Sequence, residues 1–425
     1  MNTSAAATVL AVPDTGLPVR SPEALGFDPS RLRRAMAVIE EGCRDGAYPG
    51  AAALVCRRGG VAGWLVTGAA ELEPNPRPMA ANTLFDLASV TKVVAGTSAA
   101  LFLLDAGQAC LDDPIARFLP GFSTADKQGI TLRHVLTHSS GLPPWIPCYC
   151  TSRTLEHAVT AIALAELDAP PGSQLRYSDA GMIVVQAIAV ALAGEPLAAM
   201  LQRRLFDPLG MGDTGYNPEG DRRARAAATE HGNVHETAMV ARAGLDFDGW
   251  RSEILVGEVH DGNAFYALEG VSTHAGLFST LGDLARFAQL WLGRGKWKSQ
   301  RVFSEAAVAE ATRLQTRGLQ QSFGLGWRLA TPAHTPTAPL QESRLTQAVF
   351  PPEPEAGPGP HWMGDLRSDR AFGHVGFTGT SLLLDPTYDL SMILLTNRVH
   401  PSAARTGVDR IRARWHNAVL GAIAD

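Results

Sequence analysis

A serine and a lysine stand three residues apart in the stretch FDLASVTKVV, at Ser89 and Lys92. Lysine is scarce in this chain, which has only four and carries most of its positive charge on arginine. Residues three apart share one face of a helix, so a helix beginning here places the Ser89 hydroxyl beside the Lys92 amine. Serine needs a base to become a nucleophile, and a lysine can serve if burial or a second cation lowers its pKa. The pair indicates nucleophilic catalysis, with a serine helix cap followed by a snorkelling lysine as the structural alternative.

Two more motifs follow Ser-x-x-Lys along the chain. RYSDAG places Tyr177 and Asp179 at the start of a helix, and a tyrosine phenol near a lysine can share in proton transfer. GHVGFTGT places His374 and Gly376 on a strand whose glycines permit close backbone approach. A buried tyrosine beside an Asp cap and a bulged strand are the structural alternatives. Taken in order on helix, loop and strand, the three motifs indicate catalysis.

The elements that must position these motifs follow from hydrophobic periodicity. PGAAALVCRRGGVAGWLVTGAAEL predicts two strands joined by a turn at Gly59 and Gly60. SVTKVVAGTSAALFLLDAGQACL predicts a helix that ends near Gly107, and STLGDLARFAQLWLGRG predicts a helix capped by Thr280. More strands are predicted in SFGLGWRLA, AFGHVGFTGTSLLLD and LSMILLTNR, and more helices around 154–167, 182–194 and 197–206 and in TGVDRIRARWHNAVLGAIA.

Strands at both ends of the chain and helices between them predict an α/β (α+β) fold. We expect one mixed antiparallel sheet flanked by helices, together with a mostly helical domain. The predicted α/β domain comprises residues 20–86 and 275–425, and the helical domain comprises 87–274 and carries the nucleophile. Residues 1–19 are predicted to be a poorly ordered amino-terminal segment.

The motifs resemble those of the serine β-lactamase and penicillin-binding-protein superfamily. LFDLASVTKV, ITLRHVLTHSSGLP, PLGMGDTGY, GEVHDGNAFYALEGVSTHAGLFST and GHVGFTGTSLLLDPTYDLSMILLTNRVHP are similar to segments of its class C β-lactamase-related branch, in the family order. That branch includes esterases and D-alanyl-D-alanine carboxypeptidases. The resemblance implies a class C β-lactamase-like fold. It also implies a serine hydrolase that acts on an ester or an amide through an acyl-enzyme, with weak β-lactamase activity possible.

The resemblance implies a role for each matching residue. Ser89 attacks the acyl carbonyl, while Lys92 and Tyr177 move protons. The backbone N–H groups of Ser89 and Phe377 stabilise the oxyanion. Trp362, before the third motif, is a candidate for lining the acyl pocket, with plain packing as the alternative.

Two residues depart from the family pattern and affect the expected substrate. Asp179 stands where β-lactamases usually have asparagine, and an ionised carboxylate accepts hydrogen bonds but cannot donate them. His374 stands where a lysine commonly attracts the substrate carboxylate, and histidine is mostly neutral near pH 7. Both changes favour an esterase or a peptidase over an efficient β-lactamase. One hypothesis is that Asp179 pairs with an ammonium group of the substrate.

Other histidines and acids invite a functional interpretation that the sequence does not support. His138 is interpreted as a turn residue, because Ser139, Ser140 and Gly141 follow it. His260, Asp261 and Asn263 are interpreted as polar loop structure, because no further ligand at metal-site spacing follows them. We therefore expect no metal and no cofactor. The partner implied by the resemblance is a small acyl substrate, which is an ester, a D-amino acid peptide or a β-lactam.

Composition excludes several other classes. A net charge of −5 without a basic stripe argues against nucleic-acid binding, and no apolar run approaches the ~20 residues of a spanning helix. Five scattered cysteines predict free thiols, and the amino-terminal residues lack a basic signal-peptide region, so a cytoplasmic location is expected. The oligomeric state is not predicted.

Two other hydrolase classes lack their motifs. The chain has no Gly-x-Ser-x-Gly elbow and no His-Glu-x-x-His, which argues against an α/β-hydrolase and a zinc hydrolase. The main alternative is a penicillin-binding or sensor module that acylates but turns over poorly.

Overall fold

The computed structural model describes residues 13–151, 153–331, 343–349 and 361–425. Their helices are α1 Pro29–Arg44, α2 Ser98–Asp105, α3 Leu132–Leu136, α4 Leu155–Leu164, α5 Asp179–Ala193, α6 Leu197–Leu201, α7 Asp207–Leu209, α8 Gly220–Ala224, α9 Val234–Arg242, α10 Leu281–Leu292, α11 Glu305–Ala311, α12 Arg344–Val349 and α13 Val408–Leu420.

The strands are β1 Gly50–Arg57, β2 Gly60–Glu71, β3 Arg77–Pro78, β4 Phe85–Asp86, β5 Gly215–Tyr216, β6 Ala228–His231, β7 Ile254–Val256, β8 Leu277–Ser279, β9 Lys296–Trp297, β10 Gln300–Arg301, β11 Arg328–Leu329, β12 Phe372–Val375, β13 Ser381–Asp385 and β14 Leu390–Thr396. Seven of them form one antiparallel sheet in the order β11-β12-β13-β14-β1-β2-β3. This sheet takes its strands from both ends of the chain, as the sequence predicts.

The hairpin between β1 and β2 shows how the local sequence sets the sheet. Arg58 and Gly59 form its two-residue connection with φ of 52° and 66°. Positive φ at both positions matches the right-handed twist of the flanking strands. The turn predicted from Gly59 and Gly60 is therefore present, shifted by one residue.

The sheet separates two hydrophobic cores. Ala52 and Leu54 of β1 face a large core that α2, α5 and α10 share. The alternate residues Ala51 and Ala53 face a second core formed with α1 and α13. Side chains on a strand alternate between faces, so a residue's position along a strand decides which core it joins.

The helical segment that contains Ser89 is strongly apolar. The segment Ala88–Asp105 is long and apolar enough to cross a membrane by length and composition alone, and 83% of it is buried inside the protein. The bent pair α5 to α7 passes the same test only if taken together. A helix in the core of a folded domain has the same composition. Here the apolar side chains of the segment are part of the large core.

Part of the amino-terminal segment predicted to be poorly ordered is held against the fold. The Pro18 carbonyl accepts a hydrogen bond from the Val61 N–H at 2.9 Å, and Asp14 forms an ion pair with Arg286 at 2.8 Å. Residues 14 and 18 thus contact the fold, residues 1–12 lie outside the described residues, and the prediction for 1–19 remains a prediction. The predicted domain boundaries remain predictions, since the large core is continuous across them.

Candidate active site

A strained turn presents Ser89. Ala88 adopts a left-handed φ of 45°, which is unfavourable for a residue with a Cβ. Its N–H donates to the Asp86 carboxylate at 2.8 Å, which holds the turn in place. A 3₁₀ turn over Ala88–Val90 follows, so Ser89 stands at the start of the buried helix, as the motif predicts. Strained backbone of this kind is common where a side chain must be held at a functional position.

Lys92 is fully buried and lies at the centre of the site. Its Nζ donates to the Ser89 Oγ at 2.9 Å and to the His274 carbonyl at 3.1 Å. It also lies 2.6 Å from the Asp179 Oδ1. Two of the three N–H donors of the ammonium are used in these hydrogen bonds, and Asp179 is its ion-pair partner. The structure thus joins Ser89, Lys92 and Asp179 in one cluster.

The charge on Lys92 differs from the expectation for a lysine base. Burial alone lowers the pKa of Lys92, but the Asp179 carboxylate and the Tyr177 hydroxyl outweigh it, and the pKa is raised. Lys92 is therefore an ammonium in this site. Its ion-pair partner among the described residues is an anion, Asp179.

Tyr177 lies between Lys92 and two histidines. The Lys92 Nζ is 4.9 Å from the Tyr177 ring centroid, and the His138 and His374 rings are 4.5 and 6.0 Å from it. The next residue, Ser178, caps α5 by accepting the Gly181 N–H at 3.0 Å. This cap fixes the tyrosine relative to the helix, so the alternative of an Asp cap does not hold here.

His138 contributes more than the turn role assigned to it from the sequence. It has a left-handed φ of 57°, and its Nδ1 accepts the Ser178 N–H at 3.1 Å. Because Nδ1 accepts, the Nε2 carries the proton of the neutral ring. Burial lowers the pKa of His138 well below its ordinary value, and the Lys92 ammonium lowers it further. The neutral ring supports Tyr177 from one side.

His374 on β12 is neutral and presents an acceptor. Its Nδ1 lies 2.8 Å from the Val375 carbonyl, which can only accept, so Nδ1 carries the proton and Nε2 has a free lone pair. Burial lowers the pKa of His374 well below its ordinary value, and the cations Arg328 and Lys92 lower it further. Within the described residues, nothing donates to its Nε2. The expectation of a neutral residue at this position agrees with the geometry.

The loop after β12 is tied directly to the nucleophile turn. The Thr378 hydroxyl donates to the Asp86 carbonyl at 2.7 Å, and the Thr380 hydroxyl donates to the Leu87 carbonyl at 2.9 Å. A Cβ at Gly376 would collide with the Thr380 hydroxyl and the Leu87 carbonyl. Gly376 is thus required for close approach of the two segments, which is how the strand glycines were interpreted.

Phe377 follows Gly376 at the rim of the site. Its N–H donates to no acceptor among the described residues, which leaves it available to an oxyanion. Its ring is 37% exposed, stacks on His260 at 5.6 Å and packs against His235 at 5.0 Å. The Arg398 guanidinium lies 4.7 Å from the ring centroid and donates to the Phe377 carbonyl at 2.8 Å. These contacts fix the loop from behind.

Trp362 does not lie beside the other predicted site residues. It is 6% exposed and belongs to the core between the sheet and helices α1 and α13. A Cβ at Gly373 would meet its ring, whereas His374, the next residue on β12, faces the opposite side of the sheet. The structure therefore favours the packing alternative over the acyl-pocket prediction for Trp362.

The sequence motifs do not identify a second group of residues beside Lys92, which includes His274 and Asp261. The backbone carbonyl of His274 accepts a hydrogen bond from Lys92. The His274 ring lies 2.8 Å from the Asp261 Oδ1 and 2.6 Å from the Ser272 Oγ. His260 Nε2 lies 2.9 Å from Glu230. The segments GEVHDGNAF and THAGLFST resemble family segments, but their spacing along the chain does not predict that they contact each other in the fold. Among the described residues, no group of three or more His, Cys, Asp and Glu side chains could hold a metal ion.

The site and fold together define a class of enzyme, the serine hydrolases that act through an acyl-enzyme. The β-lactamase family model matches residues 33–414, and the chain belongs to this family. The fold of the family is also shown by a crystal structure of a class C β-lactamase from Rhodobacter sphaeroides. That structure is 21% identical, with a TM-score of 0.63, and the match covers 90% of this chain and 97% of that one.

Other relatives carry names of several hydrolases. The chain is 31% identical over 400 residues to "N-acetylmuramyl-L-alanine amidase" from Bacillus subtilis, covering 89% of this chain and 83% of that protein. It is 31% identical over 409 residues to "Putative D-alanyl-D-alanine carboxypeptidase" from Escherichia coli K12, covering 90% and 86%. The structure of "EstCE1, a hydrolase with promiscuous acyltransferase activity" aligns with a TM-score of 0.66 and 23% identity over 92% of this chain and 99% of that one.

Proposed function

We propose that Ser89 is the nucleophile of a hydrolase for esters or amides of small acyl compounds, of carboxylesterase or D-alanyl-D-alanine carboxypeptidase type. One observation carries this proposal: the fully buried Lys92 places its Nζ 2.9 Å from the Ser89 Oγ. Burial of a lysine lowers the stability of the folded protein. The direct contact between Lys92 and the Ser89 hydroxyl supplies a catalytic reason for this burial.

The oxygen of Ser89 attacks the acyl carbonyl carbon, and the carbonyl oxygen becomes an oxyanion. The N–H groups of Ser89 and Phe377 donate to that oxyanion. The Lys92 ammonium first releases a proton to water, and the Ser89 proton then passes to the Lys92 amine. The carbonyl re-forms as the bond to the leaving group breaks, Tyr177 gives its proton to the leaving group, and Lys92 passes a proton to Tyr177. Water then attacks the acyl carbon, one of its protons passes through the same groups to the Ser89 oxygen, and the acid is released.

The names of the relatives support ester and amide substrates. Among the relatives are an amidase and a putative D-alanyl-D-alanine carboxypeptidase, and a structural neighbour is described as a hydrolase with acyltransferase activity. Asp179 and the neutral His374 argue against a β-lactam as the preferred substrate, because neither offers the donor or the cation that the family pattern supplies.

A three-substrate panel tests the proposal. The enzyme and its Ser89→Ala variant are assayed with p-nitrophenyl acetate, a D-Ala-D-Ala peptide and nitrocefin. We expect sustained turnover of the ester or the peptide that Ser89→Ala abolishes. A stoichiometric burst with no later rate would instead support the sensor module, and turnover that survives in Ser89→Ala would overturn the assignment of the nucleophile.

A further inference from the structure

Residues 260–263 form one wall of the site. This wall contacts Asp86 and Phe377 at one end and Cys148 at the other. The His260 N–H donates to the Asp86 Oδ2 at 2.7 Å, while the His260 ring stacks on Phe377. At the other end, the Asn263 Oδ1 accepts the Cys148 N–H at 2.9 Å. Asp261 lies between these two anchors, so its backbone is fixed across from the nucleophile turn.

Among the described residues, only one of the two oxygens of the Asp261 carboxylate has hydrogen-bond partners. Its Oδ1 accepts the Ala264 N–H at 2.8 Å and lies 2.8 Å from the His274 Nε2. Among the described residues, none donates to its Oδ2, and the side chain is 24% exposed. Burial opposes ionisation, but the His274 ring, the Ala264 N–H and the Lys92 ammonium together lower the pKa of Asp261. Asp261 is therefore ionised at neutral pH.

Of the two acids near Lys92, Asp179 and not Asp261 is its direct ion-pair partner. The Lys92 Nζ lies 2.6 Å from the Asp179 Oδ1. Asp179 is therefore a poorer partner for a substrate cation than the sequence suggests. Arg328, the next cation, lies 5.1 Å from the Tyr177 ring centroid and donates to the Gln321 Oε1 at 2.7 Å.

An independent observation indicates a hydrogen-bond donor on the substrate. His374 is fully buried on the site face of the sheet, and its Nε2 lone pair has no donor among the described residues. A lysine at this position would attract a carboxylate, whereas this acceptor requires an N–H or O–H group. Among the described residues, acceptor atoms that receive no hydrogen bond thus occur at two separate places in the site, on β12 and on the 260–263 wall.

We propose that Asp261 determines specificity by binding a cationic group, an ammonium, on the acyl half of the substrate. The Asp261 Oδ2 accepts a charge-assisted hydrogen bond from that group. The 260–263 wall contacts residues 146–148, and the Pro144 carbonyl of the same loop accepts the Asp179 N–H at 2.8 Å, so this wall borders the same side of the site as Asp179. This inference rests on the proposed hydrolase function.

Matched esters test the proposal. The probes are p-nitrophenyl esters in which an ammonium is replaced by a methyl group: D-alanyl against isobutyryl, and 6-aminohexanoyl against heptanoyl. We expect kcat/KM of the wild type to favour one cationic ester over its neutral partner by about tenfold, the size of a partly desolvated ion pair. In Asp261→Asn, which keeps the side-chain shape, that ratio falls to about one.

The ratio within one variant is the decisive quantity, because a loss of folded protein lowers both rates equally. Asp126→Asn, at a surface ion pair with Lys127, is the matched control and keeps the wild-type ratio. Equal rates for both members of each pair in the wild type, or a preference that survives in Asp261→Asn, would overturn the inference. If no ester is turned over at all, the proposed hydrolase function itself fails.

Discussion

At the scale of single residues, the site depends on how one buried ammonium is held. Lys92 reaches Ser89, His274 and Asp179 at once, and Asp179 stabilises its charged form. An asparagine at position 179 would leave Lys92 without a counterion, and burial would then favour its amine form. Asp179 therefore controls how readily Lys92 can accept the Ser89 proton.

Replacing Asp179 tests this control through the pH dependence of the reaction. The productive form of Lys92 is the amine, so kcat/KM rises with pH through the pKa of Lys92. Asp179→Asn removes the anion that raises this pKa, and the rising limb of the profile moves to lower pH. The measurement is kcat/KM for p-nitrophenyl acetate against pH. The surface variant Asp126→Asn should keep the wild-type profile, and an unmoved limb in Asp179→Asn would contradict the argument.

At the scale of elements, the proposed oxyanion site is made by two segments that lie far apart in sequence. In the proposed mechanism, the loop after β12 supplies the Phe377 N–H, and the turn before the buried helix supplies the Ser89 N–H. Thr378 and Thr380 join the two segments through hydrogen bonds to the carbonyls of Asp86 and Leu87. The relative position of the two proposed donors therefore depends on these threonine hydroxyl groups.

Thr378→Val tests this connection, because valine keeps the shape and removes the hydroxyl. It leaves the buried Asp86 carbonyl unpaired, at a cost of about 1–3 kcal/mol in the free energy of unfolding. We expect kcat for p-nitrophenyl acetate to fall at least about tenfold with little change in KM, because the oxyanion contact matters most in the transition state. Thr160→Val, which loses an exposed bond to the Glu156 carbonyl, is the control. A rise in KM alone would argue against the connection.

A substitution at Trp362, also at the scale of elements, distinguishes a packing role of this side chain from a role in substrate binding. Trp362→Ala opens a cavity in the core beside α13 and should lower the free energy of unfolding in urea by about 3–5 kcal/mol. The preference among p-nitrophenyl esters of increasing acyl length should stay unchanged, because the ring lies on the other face of the sheet from His374. A shift towards longer acyl groups would restore the acyl-pocket prediction.

At the scale of the whole molecule, buried acids behind the site limit stability at high pH. Glu236 is 5% exposed and accepts the Tyr149 hydroxyl at 2.8 Å and the Gly262 N–H at 2.7 Å. Burial and the nearby Asp261 anion raise the pKa of Glu236 well above its ordinary value. The folded protein therefore retains this proton to higher pH than the unfolded chain does.

This difference predicts that stability falls as pH rises. A raised carboxyl pKa in the folded state stabilises the protein at low pH, and the contribution is lost as pH rises through the folded-state pKa. Glu236→Gln removes the titration while it keeps an acceptor and a donor for the same partners. The variant should match the wild-type Tm at pH 5 and exceed it by a few degrees at pH 9. An equal Tm difference at both pH values would refute this explanation.

Much of the fold and the motif chemistry could be predicted from the sequence, because these depend on local patterns. The β1–β2 hairpin, the Thr280 cap and the Ser89–Lys92 spacing are all encoded within a few residues. The charge state of Lys92 was not predictable, since Asp179 comes from a different helix. Asp261 and His274 were likewise missed as a pair because only folding brings them together.

The origin of the large sheet at both ends of the chain has a consequence for biosynthesis. β1 pairs with β14, so more than three hundred residues must leave the ribosome before the central strands can meet. His374 and Phe377 come late in that order, whereas Ser89 and Lys92 come early. The proposed nucleophile is therefore made long before the proposed oxyanion loop, and we expect a nascent chain to hold an incomplete centre until this high-contact-order pairing closes.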